Sequence, residues 1–472
     1  MSSPATPSTP ERFVRSTLAS YWSLGVRLVV SFAVRMAIAR LLLKEEVGLY
    51  ELALRIVTIG GASLRDVGLV FQLMRDERKP YGTVLAWTAT SGAVVTVALM
   101  LGAPLLAILS PELPAVLRVY ALWVFLDGLV AVPRTFFERE LNIGRLVGPE
   151  ITRGLATAAV AVFLAAFGWG VWSLILADLA ATAIFAALVW WRAWGKIPLE
   201  VDWSLLPSLL RRSNLLFFIW LLYQMVTYSD SFVVKSFESL AVVGAYAYAY
   251  LLAFLTRQIV FPRALVPALV AYRDDGPRFT QAFRVGMIFL MTCEVAAGYF
   301  LYFNAPLVVR IFCGEGWDSV VPLLRVLCFV PFLDIFSELG GEVLKIRHED
   351  RLWLLIVALN LASLLGFGIH LTSQHGALGM AYANFLLVGN LLMAVRMAML
   401  FGRALTSLAV DMVWIYLAPL VLLGAAAWLL PGGGWPLLFA SVLALLLTLS
   451  LLGLRFWPLI RAFLATRGEA TP

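Results

Sequence analysis

Residues Gly434–Phe456 read GWPLLFASVLALLLTLSLLGLRF, and Arg455, one position from the end, is the only charge. A helix of roughly 20 apolar residues crosses a bilayer, because its rise of about 1.5 Å per residue matches a hydrocarbon core of about 30 Å. The preceding Pro431-Gly432-Gly433 ends another apolar run. Working outward from this stretch, similar runs fill nearly the whole chain, at residues 16–42, 47–74, 83–109, 115–137, 146–168, 170–194, 207–235, 242–271, 280–312, 319–344, 351–371, 376–401, 406–430 and 434–456. Polar breaks punctuate them, among them Arg75-Asp76-Glu77-Arg78-Lys79-Pro80, Arg273-Asp274-Asp275-Gly276-Pro277 and Cys313-Gly314-Glu315-Gly316. The pattern predicts an all-α integral membrane protein with about fourteen transmembrane helices.

Composition excludes the alternatives. Hydrophobic residues make up 61% of the chain and charged ones 14%, too few to cover the surface of a soluble domain. Mean hydropathy is +0.89. The net charge of +7 does not read as a nucleic-acid footprint, because the basic residues are spread between apolar runs. They read as topology signals: roughly 22 Lys/Arg fall on the side of Arg12 and Arg15, against about 2, Lys44 and Lys235, on the other. This bias predicts an even number of spans with both termini in the cytoplasm. Met1–Pro10, rich in Ser, Thr and Pro and without an early basic run, reads as part of a disordered tail and not as a signal peptide. Cys293, Cys313 and Cys328 have neither CxxC nor metal spacing. No cofactor or metal is expected. The chain also lacks a phosphate-binding glycine loop, an HExxH motif and a nucleophile elbow, so it is not expected to be an enzyme.

The chain repeats itself. Leu117-Arg118-Val119 with Phe125-Leu126-Asp127 recurs as Leu324-Arg325-Val326 with Phe332-Leu333-Asp334. Val47-Gly48-Leu49-Tyr50 is echoed by Val243-Gly244-Ala245-Tyr246, and Ala103-Pro104-Leu105 by Ala305-Pro306-Leu307. Gly170 leads Asp178 by the same interval as Gly376 leads Asn384. The offset of roughly 200 residues spans six helices, an even number, so the repeat is parallel, about an axis along the membrane normal. The expected organisation is a tail at 1–15, a first six-helix lobe at 16–200, a second at 201–401, and a terminal helix pair with a cytoplasmic tail at 402–472. A central cavity is expected between the lobes.

Charges inside spans cost a few kcal/mol each and mark candidate sites. Arg27 and Arg35 lie in the first span, Glu51, Arg55 and Asp66 in the second, Asp230 and Lys235 in the seventh, and Arg257 in the eighth. On an unbroken helix Asp66 returns to nearly the face of Arg55. A guanidinium fork suits a phosphate, and Arg27, near mid-span with no local partner in sequence, is the leading candidate. Glu51 with Arg55 reads equally as an internal ion pair, and Arg35 as a side chain snorkelling to the interface. Asp334, Glu338 and Glu342 form an acidic stripe at i, i+4, i+8, and Asp127 is the repeat partner of Asp334. Asp127, Asp334 and Glu338 are candidates for coupling to a proton or cation. The alternative is that they are packing groups shared by common ancestry of the lobes. Asp178 and Asn384 are expected to hydrogen-bond between helices.

Several of these segments resemble the polysaccharide (O-antigen, capsule, exopolysaccharide) flippases of the multidrug/oligosaccharidyl-lipid/polysaccharide exporter superfamily. The resemblance is carried by Arg40-Leu41-Leu42 through Val47-Gly48-Leu49-Tyr50 to Asp66-Val67-Gly68-Leu69, by Gly170-Val171-Trp172-Ser173-Leu174, by Asp230 with Val243-Gly244-Ala245-Tyr246, by Val260-Phe261-Pro262 through Pro267-Ala268-Leu269, and by Phe312-Cys313-Gly314-Glu315-Gly316-Trp317. It implies a flippase for undecaprenyl-diphosphate-linked oligosaccharide in the bacterial cytoplasmic (inner) membrane, working by alternating access with H+ or Na+ coupling. It also implies a cationic cavity, consistent with Arg27, Arg35, Arg55 and Arg257. The partners implied are the lipid-linked oligosaccharide, membrane lipids and the polysaccharide-assembly machinery. A lipid II flippase or a drug antiporter of the same superfamily is the alternative. A polysaccharide-assembly membrane enzyme is the alternative of a different class, and the short outer loops argue against it.

Overall fold

The computed structural model describes residues 32–468, except 77, 141, 143, 256 and 258–264. Among the described residues, twelve helices are long and apolar enough to cross a membrane. The first expected span, 16–42, lies mostly outside the described residues. The eighth, 242–271, is described only as two short helices, Leu240–Ala253 and Leu265–Ala271. Outward-facing side chains such as Leu101, Leu105, Leu443 and Leu454 are exposed and apolar, as a lipid-facing surface requires. The chain is a multi-pass membrane protein. It divides into two compact units, Met1–Tyr228 and Ser229–Pro472.

In the first unit, residues 32–41 form α1, followed by α2 (Lys44–Ile56), α3 (Ser63–Asp66), α4 (Leu69–Arg75), α5 (Tyr81–Gly102), α6 (Leu113–Tyr120), α7 (Leu122–Arg139), α8 (Gly144–Ala166), α9 (Val171–Ala193) and α10 (Leu206–Tyr228). A buried cluster of Leu69, Leu73, Tyr81, Val130, Phe137 and Phe185 joins α4, α5, α7 and α9. The second expected span is not one α-helix. Val57–Ala62 is wound as a π-helix, and Val67 and Gly68 turn left-handed at φ 44° and 76°. For Val67, β-branched, that conformation is strained. The turn frees the Arg65 carbonyl from its helical partner, and α5 satisfies it: Ser91 Oγ donates at 2.8 Å and Trp87 Nε1 at 3.2 Å.

The second unit contains α11 (Asp230–Phe237), α12 (Leu240–Ala253), α13 (Leu265–Ala271), α14 (Gly276–Cys313), α15 (Val320–Leu327), α16 (Val330–Ile346), α17 (Asp350–His375), α18 (Ala377–Ala383), α19 (Val388–Phe401), α20 (Arg403–Leu429) and α21 (Gly434–Gly468). The 38-residue α14 is the spine of this unit. It packs against α15, α16 and the terminal pair α20 and α21. Residues 384–387 interrupt the helix between α18 and α19.

The repeat glycines occupy equivalent places. Gly170 precedes α9 at φ 55° and ψ −135°, and Gly376 precedes α18 at φ 59° and ψ −146°. L-residues rarely adopt either conformation. At both sites a carboxylate fills the space a side chain would need. A Cβ on Gly170 would lie 2.3 Å from Glu46 Oε1, and one on Gly376 would lie 2.2 Å from Glu238 Oε1. Each acid therefore sits at a helix start, where the helix dipole favours negative charge.

Between α16 and α17, Glu349 accepts from Arg396 Nε at 2.8 Å and Nη2 at 2.5 Å, a two-pronged pair that clamps this turn to α19. The guanidinium holds the Glu349 carboxyl below the ordinary carboxylate range.

Two outcomes are expected from thermal unfolding in detergent. Gly376→Ala destabilises by at least about 1–3 kcal/mol, through strain and the Glu238 clash. Gly366→Ala, where a Cβ meets open space, does not. Glu349→Gln lowers Tm at pH 7. Because the Glu349 pKa is depressed by folding, the pair stabilises above the ordinary carboxylate range and is lost as pH falls through the folded value. The gap between wild type and Glu349→Gln therefore closes on acidification, and a gap that persists at low pH would assign the effect to packing.

Candidate functional site: charged groups within the spans

In the first unit, α2 presents Glu51 and Arg55 one turn apart, and Arg55 Nη2 lies 3.1 Å from Glu51 Oε2 with both side chains largely buried. The Arg55 guanidinium also lies over the Tyr228 ring, 4.3 Å from its centroid. An aromatic face and a carboxylate thus share this cation, and both offset its removal from water. Asp66 has a local role: its Oδ1 accepts from Val70 N at 2.9 Å and caps the restarted helix α4. The π-helical segment between them interrupts the α-helical register that would place Asp66 on the face of Arg55. Arg35 lies on the exposed side of α1. Arg27 lies outside the described residues.

Sequence reasoning did not single out Arg65. Its side chain is buried, and Nη1 donates to Asp127 Oδ2 at 2.7 Å and to the Val124 carbonyl at 3.3 Å. Gly128 leaves the room: a Cβ there would lie 3.0 Å from Arg65 Cδ. Asp127, a coupling candidate, is therefore the partner of a buried guanidinium. The available signal was an intramembrane arginine beside Asp66 with an orphan acid, Asp127, two spans on.

The second unit carries a related arrangement. Arg257 Nη1 lies 3.3 Å from Asp334 Oδ2, and Nη2 pairs closely with Glu338. Two members of the acidic stripe thus converge on one guanidinium, while the third, Glu342, accepts from Lys345 at 2.5 Å. One guanidinium is thus shared by two carboxylates. Repeat-related Asp127 and Asp334 are each paired with an arginine, Arg65 and Arg257, in their own unit. Asp230 is buried, with its Oδ1 accepting from Ser231 N at 2.7 Å, and Lys235 Nζ donates to the Glu238 carbonyl at 3.4 Å.

The expected interhelical bonds of Asp178 and Asn384 are present. Asp178 Oδ2 accepts from Tyr50 and Tyr120 hydroxyls, both at 2.7 Å, joining α2, α6 and α9. Asn384 Nδ2 donates to the Tyr246 hydroxyl at 3.2 Å. Tyr50 and Tyr246 are repeat partners, so the two units keep one contact while exchanging a carboxylate for an amide.

The fold occurs in known transporters. A lipid II flippase, MurJ, in an inward closed conformation superposes with a TM-score of 0.75 at 12% identity, over 95% of this chain and 100% of that one. An inward-facing multidrug resistance MATE family transporter of the MOP superfamily gives 0.59 at 15% identity, over 83% and 95%. A MOP superfamily transporter from Pyrococcus furiosus gives 0.61 at 15% identity, over 84% and 95%. At these identities the likeness is one of fold. No curated protein matches the chain by sequence. Residues 37–322 match the family described as polysaccharide biosynthesis protein, and that stretch contains most of the first unit's charged spans, Asp230 and Arg257. The chain belongs to the polysaccharide biosynthesis protein family.

Proposed function

We propose that the chain is a flippase that carries polyprenyl-diphosphate-linked oligosaccharide across the bacterial cytoplasmic membrane by alternating access. The observation that carries this reading is the coincidence of two findings: family membership in polysaccharide biosynthesis, and a fold shared along nearly its whole length with a lipid II flippase. A glycolipid has a charged, hydrated head and a chain that stays in the bilayer. A membrane protein with intramembrane guanidiniums matches that chemistry. Lipid II is a second reading, favoured by the TM-score of 0.75 with its flippase.

Arg27, Arg35, Glu51, Arg55, Asp66, Asp230, Lys235 and Arg257 are the residues proposed to handle the head group. Asp127, Asp334 and Glu338 are proposed to couple transport to H+ or Na+. The pairing of Arg257 with Asp334 and Glu338 supports a specific exchange. A diphosphate arriving at Arg257 competes with the two carboxylates for one guanidinium. Carboxylates that lose their counter-ion in a low dielectric take up a proton or cation. Head-group binding and ion binding would then be linked by one shared arginine, and linkage of that kind is reciprocal.

Proteoliposomes carrying polyprenyl-diphosphate oligosaccharide in both leaflets test the activity. Digestion by an external glycosidase should pass the outer-leaflet fraction only when the protein is present, and lipid II in the same assay separates the two substrate readings. A plateau at the outer-leaflet fraction for both would sink the proposal. For coupling, the double variant Asp334→Asn, Glu338→Gln is expected to bind the diphosphate head about tenfold more tightly, within the usual range of coupling energies. Its flipping should no longer respond to a proton or sodium gradient. A double variant with wild-type gradient dependence would remove these two acids from coupling.

A further inference from the structure

Two features of the second unit meet at the seam of α14, α20 and α21. The first is a charge cluster. Arg284 Nη2 on α14 donates to Asp411 Oδ2 on α20 at 2.6 Å, and Arg455 Nη2 on α21 lies 3.9 Å from Asp411 Oδ1. Two guanidiniums against one carboxylate leave one positive charge in excess. Arg455 is 43% exposed, its guanidinium 4.9 Å from the Trp414 ring centroid and 5.8 Å from that of Phe456. Packing against the rings restrains the long side chain while part of its N–H edge stays open, a geometry that suits a phosphate. Arg284 Nε is buried with no hydrogen-bond partner.

The second is a cavity of about 530 Å3 whose lining includes one residue of α14 and one of α20. Met412, the residue after Asp411, lines it. So does Met291, which lies two turns from Arg284 on the same face of α14, about 10 Å along the helix. Phe332, Phe336, Phe367 and Phe385 form much of its wall. Asn390 is its only polar lining residue, and the Asn390 Oδ1 is already taken by Ser337 Oγ and by Asn360 Nδ2. The surface offered is therefore almost wholly hydrocarbon. The break between α18 and α19 contributes part of the wall, and non-helical backbone at membrane depth is expected where protein or a cavity shields it. Phe367, Phe385, Leu386 and Leu391 are exposed, so the cavity opens at an apolar surface of this unit.

A cation at one end and a hydrocarbon slot leading inward fit an amphiphile held across both. We infer that the seam binds one anionic glycerophospholipid, with its phosphodiester on Arg455 and Arg284 and one acyl chain in the cavity. The single surplus charge selects a net anionic lipid, because the ammonium of a zwitterionic head group would be repelled by the same guanidiniums. Bound there, the lipid tethers the terminal pair α20 and α21 to the spine α14. The inference stands independently of the transported substrate.

Native mass spectrometry of the full-length protein in detergent, with phosphatidylglycerol and phosphatidylcholine as probes, tests it. Wild type should retain one phosphatidylglycerol roughly tenfold better than phosphatidylcholine, the scale of one charge-assisted contact. Arg455→Gln, at an exposed position, and Ala394→Phe, which fills the cavity, should each lower that retention about tenfold while the lipid-free protein keeps its Tm. If Ala394→Phe unfolds, Leu391→Trp at the exposed mouth takes its place. Unchanged retention in Arg455→Gln or in the folded cavity variant, or equal retention of phosphatidylcholine, would overturn the inference. So would displacement of phosphatidylglycerol by equimolar undecaprenyl phosphate, which would give the seam to the lipid carrier.

Discussion

In hydrocarbon no water satisfies a peptide group or a guanidinium that a break in a helix leaves open, and other groups of the protein take its place. The irregular stretch around Arg65 is arranged around that constraint. The left-handed turn at Val67 and Gly68 releases the Arg65 carbonyl, and Ser91 and Trp87 on α5 meet it. The buried Arg65 side chain meets Asp127 and the Val124 carbonyl. Arg55 has both a carboxylate and an aromatic face. A single strained residue is thus coupled to a set of contacts on two other helices. Changing one of them alone would leave a buried polar group without a partner.

The two units show what the constraint permits to vary. Both keep a tyrosine contact on the helix that follows the repeat glycine, as Tyr50 with Asp178 and as Tyr246 with Asn384. In the first unit a carboxylate accepts from two hydroxyls, and in the second an amide donates to one. Both keep an arginine on the repeat-related acid, but Arg257 has a second acid, Glu338, where Arg65 has a backbone carbonyl. The first group sets one arginine against one acid, and its arginine is the more deeply buried of the two. The second sets one arginine against two acids, with that arginine more exposed, an arrangement suited to exchanging a counter-ion.

Much of the fold was legible in the sequence, because span length, loop charge and repeat spacing are properties of the chain alone. The repeat glycines are a clear case: the equal intervals to Asp178 and Asn384 correspond to equal backbone geometry at Gly170 and Gly376. The i, i+4 spacing of Asp334 and Glu338 also placed them on one face, and both reach Arg257. The partner itself was not legible, since no local rule links residue 257 to residue 334. Arg65 was missed for a related reason. Helical counting assumes 3.6 residues per turn, and the π-helical stretch and left-handed turn break that count on either side of it. The role of Asp66 was obscured by the same assumption, since capping requires a helix to restart where an unbroken span was expected.

The repeat glycines also bear on how such a duplicated chain can change over time. At Gly170 and Gly376 the missing side chain is replaced in space by a carboxylate from elsewhere in the same unit, Glu46 or Glu238. Neither partner is free to mutate alone. A side chain on the glycine collides with the acid, and a shorter residue in place of the acid leaves a void at a helix start that the glycine backbone cannot close. After duplication the lobes could diverge in almost every apolar position facing lipid, where one hydrocarbon serves as well as another, while each kept its glycine and placed an acid beside it from a different point of the repeat: Glu46 stands next to Val47, but Glu238 lies well before Val243.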